Sequence, residues 1–485
     1  MRYALLGGLV AALALAAPAA AFTPVDPGYA KQWYLPQDRA FDAWTDPPVP
    51  TLFQPVRVAI IDSGIDAGHQ EFAGRIAVGK SFVGGDWRSD AQGHGTFVAG
   101  EIAANMDGQG LVGLASEAPV QLLIAKVVRD DGTIPLAAES AAIRWAADEG
   151  ARVINLSLGG VRDPVVHTRD TFSQLEADAV AYAYQKGAVL VAAVGNGDEA
   201  PSTPWPYASY PAALPHVVGV SALTRTGSVP QFSNRDRIYN DVAAPGQDLV
   251  STFPRDLTAL RPTCTDQGYS DCGTDDYRRP EGTSFAAPQV TAAAALLISL
   301  DPALRPDQTA ALVEHTADDV NASDGCSFCP LLRDAYTGWG RLDVAKAVAT
   351  LAGPLPSSDR YESNDDAGMH AHTVYGTDGK LDATLDYYDD QVDVYRVRLR
   401  KGQRLSARLT GQTGTNIDLV LWKPGTEAVN DLRSQKLRAA QSAKPGSSEQ
   451  LAYRARAAGW YFIEAKITSP AQAPTPYLLT IAKRR

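Results

Sequence analysis

Between residues 56 and 348 the chain alternates two kinds of segment, and this alternation restricts its fold more than any other feature. Short aliphatic runs stand at 56–61, 120–127, 153–158, 188–194 and 217–220. They are largely apolar on both faces, so both faces need cover, as in a buried parallel sheet. Several are separated by Ala-rich stretches with helical spacing, at 96–105, 136–149 and 172–186. Strand and helix in alternation predict a three-layer α/β/α domain with a mainly parallel sheet. In such sheets ligands bind at the carboxyl ends of the strands. Asp62 and Asn196 each fall just past the end of a predicted strand.

The pattern changes after Ala352. Residues 353–360, opening with Gly-Pro-Leu-Pro-Ser-Ser, read as a linker. Beyond them, period-two runs at 392–399, 405–409, 417–422, 451–455, 460–467 and 477–481 predict an antiparallel β-sandwich over 361–485. At the other end, residues 1–21 have a positive start at Arg2, an apolar stretch and the small-residue site Ala19-Ala20-Ala21. That is the pattern of a secretory signal peptide, which leaves 22–352 for the α/β domain. The expected location is extracellular or periplasmic, without stable membrane insertion. Four cysteines suit such a compartment, and proximity favours Cys264 with Cys272 and Cys326 with Cys329 as disulfides. A net charge of −11 with no basic stripe argues against nucleic acid as a partner.

Three polar segments interrupt the apolar pattern of the α/β region. Ser284 stands in Gly282-Thr283-Ser284-Phe285-Ala286-Ala287-Pro288, which opens an apolar stretch reaching Leu300. A small-residue turn there presents one hydroxyl at the start of a buried helix, with backbone N–H groups beside it. A serine in that place is also a good helix cap, and the heptapeptide by itself leaves both roles open. The strand before Asp62 runs into Asp62-Ser63-Gly64-Ile65-Asp66, where the aspartate can form a turn or orient a histidine. The segment Gly93-His94-Gly95-Thr96 places a histidine between glycines at a helix start, where it can face a cleft.

Together, in the order Asp, His, Ser, these segments resemble the subtilisin-like serine peptidases, the subtilase family. The resemblance covers roughly residues 26–349. It implies that Ser284 is the nucleophile, His94 the general base and acid, and Asp62 the residue that fixes the histidine's tautomer. The chemistry has its own need for such a base. A serine hydroxyl is a poor nucleophile at neutral pH, so an imidazole with pKa near ~6.5 must take its proton. The resemblance also implies that Asn196 donates its side-chain amide to the oxyanion, although Asn196-Gly197 alone reads as a turn. Ser157-Leu158-Gly159 and the segment beginning at Gly132 resemble the strands that pair with an extended polypeptide substrate. The pocket would be lined by Leu158, Gly159, Ala192, Ala193 and Gly195, with Ser209 near its base, and so would take apolar or aromatic side chains.

The loop from Asn105 to Leu111 resembles the family's calcium loop. It implies a structural Ca2+ held by Asp107, Glu71 and backbone carbonyls near Asn105, Gln109 and Leu111, with Gln32 as a further ligand. Glu71 stands where the family often has aspartate. No cofactor is expected for catalysis. The chain departs from the family in a second respect. Only residues 22–61 separate the leader from Asp62, and segments below about 40 residues rarely fold alone. No folded pro-domain is therefore expected, and folding proceeds unaided, or with the C-terminal domain, or with a separate inhibitor or folding helper. That C-terminal domain resembles the bacterial pre-peptidase C-terminal domain in Tyr361-Glu362-Ser363-Asn364-Asp365, Asp389–Tyr395, Gly402 and Ile417–Leu421.

The function expected is a secreted, monomeric serine endopeptidase acting on polypeptides through an acyl-enzyme. Two alternatives come from other classes. One is an exported binding protein on a retired peptidase scaffold, acting through its sandwich. The other is a peptide ligase or cyclase using the same three residues.

Overall fold

The computed structural model describes residues 21–485 except 279, 352, 354, 356–358, 363, 369, 387–389, 430–431 and 469–473. The expected leader, Ala21 apart, lies outside the described residues, as do 354 and 356–358 of the expected linker. Seven strands form one sheet: β1 (Val56–Asp62), β2 (Ile76–Ser81), β3 (Val120–Lys126), β4 (Val153–Leu156), β5 (Val189–Ala193), β6 (Val217–Leu223) and β7 (Val242–Pro245). Their order is β2-β3-β1-β4-β5-β6-β7, and every neighbouring pair is parallel. The five predicted strands are the inner ones, and the two additional strands close the edges. β2 is only half-buried, and β7 has four residues, so neither has a long apolar signature.

β1 lies between β3 and β4, pairing Asp62 with Lys126 and Val58 with Val153. Its side chains alternate between two cores. Val58 and Ile60 join the serine helix, Ala287–Leu300, on one face; Ala59 and Ile61 join Ile143 and Val180 on the other. This double burial is why a central parallel strand has no polar alternation. The serine helix is buried along its length up to Ser299. The segment Thr283–Leu300 is long and apolar enough to cross a membrane, yet it is 89% buried within the domain.

The C-terminal region holds two sheets facing across an apolar core. One orders β13 (Arg438–Ser442), β12 (Ile417–Trp422), β15 (Gly459–Ile467), β10 (Val392–Leu399) and β8 (His372–Thr373). The other orders β14 (Ser448–Arg454), β11 (Arg404–Gly411), β16 (Thr475–Arg484) and β9 (Asp378–Leu385). All pairs are antiparallel except β8 with β10. The region touches the α/β domain beside the amino-terminal ends of β5 and β6. Tyr184 donates to Asp365 Oδ2 at 3.4 Å, Gln391 and His315 meet at 2.9 Å, and the rings of His216 and His370 lie 5.3 Å apart. Cys264 is bonded to Cys272 and Cys326 to Cys329.

Behind the sheet, Glu139 on the helix Leu136–Asp148 is hydrogen-bonded to Glu176 on the helix Gln174–Gln185, and both are buried. Burial drives both carboxyls up, Glu176 to about 7, so the pair shares a proton. Its contribution is complete below the ordinary value of ~4.3 and is lost as pH rises through about 7. We expect the α/β domain to melt several degrees lower at pH 8 than at pH 5. Glu139→Gln should reduce that difference in calorimetric scans, and an unchanged difference would exclude the pair as its source.

Candidate active site

Asp62 closes β1 at the carboxyl edge of the sheet and is 3% exposed. The main chain is held there by Val127 N–H donating to Asp62 O at 2.9 Å and by Lys126 Nζ donating to Ser63 O at 2.6 Å. His94 opens the histidine helix, His94–Ala103, and its Nδ1 lies 2.8 and 2.9 Å from the two Asp62 carboxylate oxygens. An ionised carboxylate only accepts, so Nδ1 carries the proton and the lone pair sits on Nε2. Gly95 is required for this approach. A Cβ there would run into Gly64 O and lie 3.2 Å from the Asp62 side chain.

Asp90, which the sequence reading passed over, assembles the turn before His94. Its Oδ1 accepts from Ser63 Oγ at 2.8 Å, Gly93 N at 2.8 Å and Gln92 N at 3.2 Å. Its Oδ2 accepts from Thr96 N at 2.8 Å and Thr96 Oγ1 at 2.7 Å. Ser63 Oγ in turn accepts from Gly95 N at 2.9 Å. The carboxylate thus satisfies N–H groups at the open start of a helix and favours its positive end.

Ser284 lies half-buried in the 3-10 turn Thr283–Phe285 that precedes the serine helix. The next residue brings the turn to the histidine, with the Phe285 and His94 rings 5.3 Å apart. Phe97 packs on Phe285 at 4.7 Å, and Tyr277 sits behind on Phe253 at 4.9 Å. Asn196 follows β5. Its side-chain oxygen accepts from Thr283 N at 3.0 Å and Thr283 Oγ1 at 3.1 Å. Thr283 Oγ1 also accepts from Gly195 N at 3.1 Å. With its oxygen committed, the Asn196 amide nitrogen is turned towards the Gly282 side of the serine turn.

The expected substrate residues meet at the same edge. Ala192 and Ala193 end β5, and Leu158 and Gly159 follow β4. Gly195 adopts φ +93° with Ser209 Oγ directly against it. Asn234, absent from the sequence reading, donates to Val194 O at 3.1 Å and Ser209 Oγ at 3.4 Å and so completes that corner. Gly132 lies beside Gln92, two residues before His94. The Ser157 hydroxyl turns inward, donating to the Ser284 carbonyl at 2.7 Å.

The candidate calcium residues divide. Gln32 meets Val112, the residue that follows the loop, through both ends of its amide. Its oxygen accepts from Val112 N at 2.9 Å, and its nitrogen donates to Val112 O at 2.7 Å. At Asn105, whose backbone carbonyl is the expected ligand, the side chain accepts from Arg75 at 2.7 Å and donates to Ala73 O at 3.1 Å. Glu71 accepts from Leu111 N at 3.1 Å and Tyr269 at 2.7 Å, while Asp107 accepts from Gln109 N at 3.1 Å. Asp26, not foreseen, joins this group by accepting from Asp107 N and Gly108 N at 3.0 and 2.9 Å. Its second carboxylate oxygen is buried without a partner. Burial raises Glu71 to about 7; Tyr269 and Leu111 oppose that rise, and the nearby Asp107 and Asp26 add to it. A divalent cation is the species that such an acidic, oxygen-only set fits.

Comparison with known proteins agrees with this architecture. The subtilase family model matches residues 54–340, and the bacterial pre-peptidase C-terminal domain model matches residues 391–466. Thermitase of Thermoactinomyces vulgaris is 32% identical over 331 residues, covering 67% of this chain and 99% of thermitase. Fervidolysin of Fervidobacterium pennivorans is 33% identical over 337 residues, covering 67% of this chain but only 43% of fervidolysin. A solved protease from Pseudoalteromonas arctica shares the fold with a TM-score of 0.53 at 24% identity, over 68% of this chain and all of that one. The fold and these relatives define a serine-type endopeptidase, a hydrolase of peptide bonds. The chain belongs to the subtilase family.

Asp90→Asn keeps the shape of the side chain but removes acceptor capacity from a buried carboxylate that serves five donors. The expected cost is roughly 2–4 kcal/mol. Thermal unfolding should shift down by about 5–10 °C. An unchanged melting temperature would show that Asp90 does not hold the turn.

Proposed function

We infer that this chain is an exported endopeptidase, released from its leader after Ala21, in which Ser284, His94 and Asp62 act as a triad. The hydrogen bond between His94 and Asp62 carries this reading, because it leaves the Nε2 lone pair to take a proton. The Ser284 hydroxyl attacks the scissile carbonyl as its proton passes to Nε2. The carbonyl's electron pair moves to oxygen, where the Ser284 backbone N–H and the Asn196 amide nitrogen stabilise it. Collapse expels the amine, which takes the proton from His94 and leaves an acyl-serine. Water then attacks by the same route in reverse, regenerating Ser284 and releasing the acid. The segments at Gly132 and at Ser157, Leu158 and Gly159 flank the substrate backbone. The small side chains of Ala192, Ala193, Gly195 and Ser209 leave room for an apolar residue. Export is supported by the leader pattern and by two disulfides.

Asp26, Glu71 and Asp107 are the side chains proposed to hold a structural Ca2+, which would supply positive charge to a buried acidic group and take no part in catalysis. Ser157 and Asn234 support the pocket from behind.

Ser284→Ala should abolish both peptide hydrolysis and covalent labelling by a serine-directed phosphonate. Labelling that persists in the variant would sink the assignment. Mass spectrometry of a long peptide digest should find free acids and amines, whereas joined or cyclic products would indicate ligation. Chelation should lower the melting temperature of the α/β domain, and Asp26→Asn should abolish the calcium-dependent part of that shift. Identical scans with and without chelator would remove the cation.

A further inference from the structure

In the turn that carries Ser284, two carbonyls are met by side chains instead of main-chain N–H groups. A helix would satisfy the Ser284 carbonyl from the N–H four residues on, but that residue is Pro288. Ser157 Oγ supplies the bond from the side, at 2.7 Å. Ser157 Oγ accepts from Asn155 Nδ2 at 2.9 Å, and Asn155 Oδ1 accepts from Thr291 Oγ1 at 2.9 Å. The Phe285 carbonyl has lost its partner too, because Gln289 N–H is drawn to Ala286 O at 3.2 Å. The Gln289 side chain replaces it. Its Nε2 donates to Phe285 O and to Pro245 O, both at 2.7 Å, and so ties the serine turn to the end of β7.

The same nitrogen faces a third acceptor, on the histidine helix. Gln289 is fully buried, as is Glu101 on the histidine helix, whose Oε1 accepts from Gln289 Nε2 at 3.4 Å. Gln289 Oε1 and Glu101 Oε2 are buried, and neither has a partner as placed. The surroundings favour the protonated form of Glu101. Burial pushes the Glu101 carboxyl well above its ordinary range, the Gln289 contact opposes this, and Asp38 adds to it. Tyr34 is the other titratable group facing it.

We propose that Gln289 and Glu101 are positioning residues for the reaction at Ser284: their buried contact lets the helix that carries His94 set the side chain that holds the nucleophile's turn. Neither touches substrate. The proposal rests on Ser284 being the nucleophile, and it adds how the turn is kept in register with His94. Misplacement of reacting groups by about 1 Å costs up to ~100-fold in rate, so a loosened turn should appear in turnover rather than in substrate binding.

The test is steady-state kinetics on a peptide substrate, phosphonate labelling rates and melting curves of the full chain. Gln289→Leu and Glu101→Leu should each lower kcat by roughly 10- to 100-fold, with KM within about threefold and labelling slowed in proportion. Glu101→Gln, which keeps the shape and an acceptor oxygen for Gln289 Nε2, should retain kcat within about threefold. The double leucine variant should be no slower than the slower single one, as expected of groups acting as one unit. If the leucine variants do not fold, Gln289→Met against Glu101→Gln makes the same comparison. Glu101→Gln as slow as Glu101→Leu, additive losses, or lowered melting with intact kcat would overturn the proposal. Ser284→Ala separates the two levels. An active Ser284→Ala would remove the nucleophile assignment. An inert one beside an unimpaired Gln289→Leu would remove the positioning role alone.

Discussion

The bond between His94 and Asp62 sets what the rest of the site must do. It joins side chains 32 positions apart, at the end of a strand and the start of a helix. An aspartate 3% exposed is tolerable only if its charge is met by donors, and here the donors are the histidine ring and the Ser63 N–H. The strand end must therefore be rigid, which Lys126 and Val127 provide, and the helix start must be fixed, which Asp90 provides. The turn that carries Ser284 meets His94 through Phe285, so a third set of contacts has to hold that turn in place.

How much of this was legible depended on whether a residue's partners were near it in sequence or in pattern. The inner strands announced themselves because double burial demands unbroken apolar runs such as Val58-Ala59-Ile60-Ile61. β2, Ile-Ala-Val-Gly-Lys-Ser, hid because an edge strand has one open side. Asp62, His94 and Ser284 stood out as polar breaks at element ends. Asp90 did not, because its meaning lies in Ser63 and Thr96, which only folding brings to it. Asp26 was passed over because the reach of a carboxylate across a folded loop is not a matter of spacing. Gln289 left a visible trace, a long amide inside an otherwise small and aliphatic helix, but nothing nearby in sequence identified its acceptors.

The site is assembled by hydrogen-bond accounting as much as by apolar packing. Irregular backbone at the serine turn, at the Gly93 helix start and around Gly195 leaves main-chain groups that regular structure would have satisfied. Side chains satisfy them in each case: Ser157 and Gln289 at the first, Asp90 at the second and Thr283 at the third. Aromatic rings fill the space behind, so Phe285 can press against His94 without leaving a void.

The C-terminal sandwich meets the α/β domain beside the amino ends of β5 and β6, through Tyr184, His216 and His315. Asp62 and Asn196 stand at the opposite ends of the strands. The two halves of the molecule therefore use different poles of one sheet. A polypeptide lying across the carboxyl edge would not compete with the sandwich for space, because the length of the strands separates them.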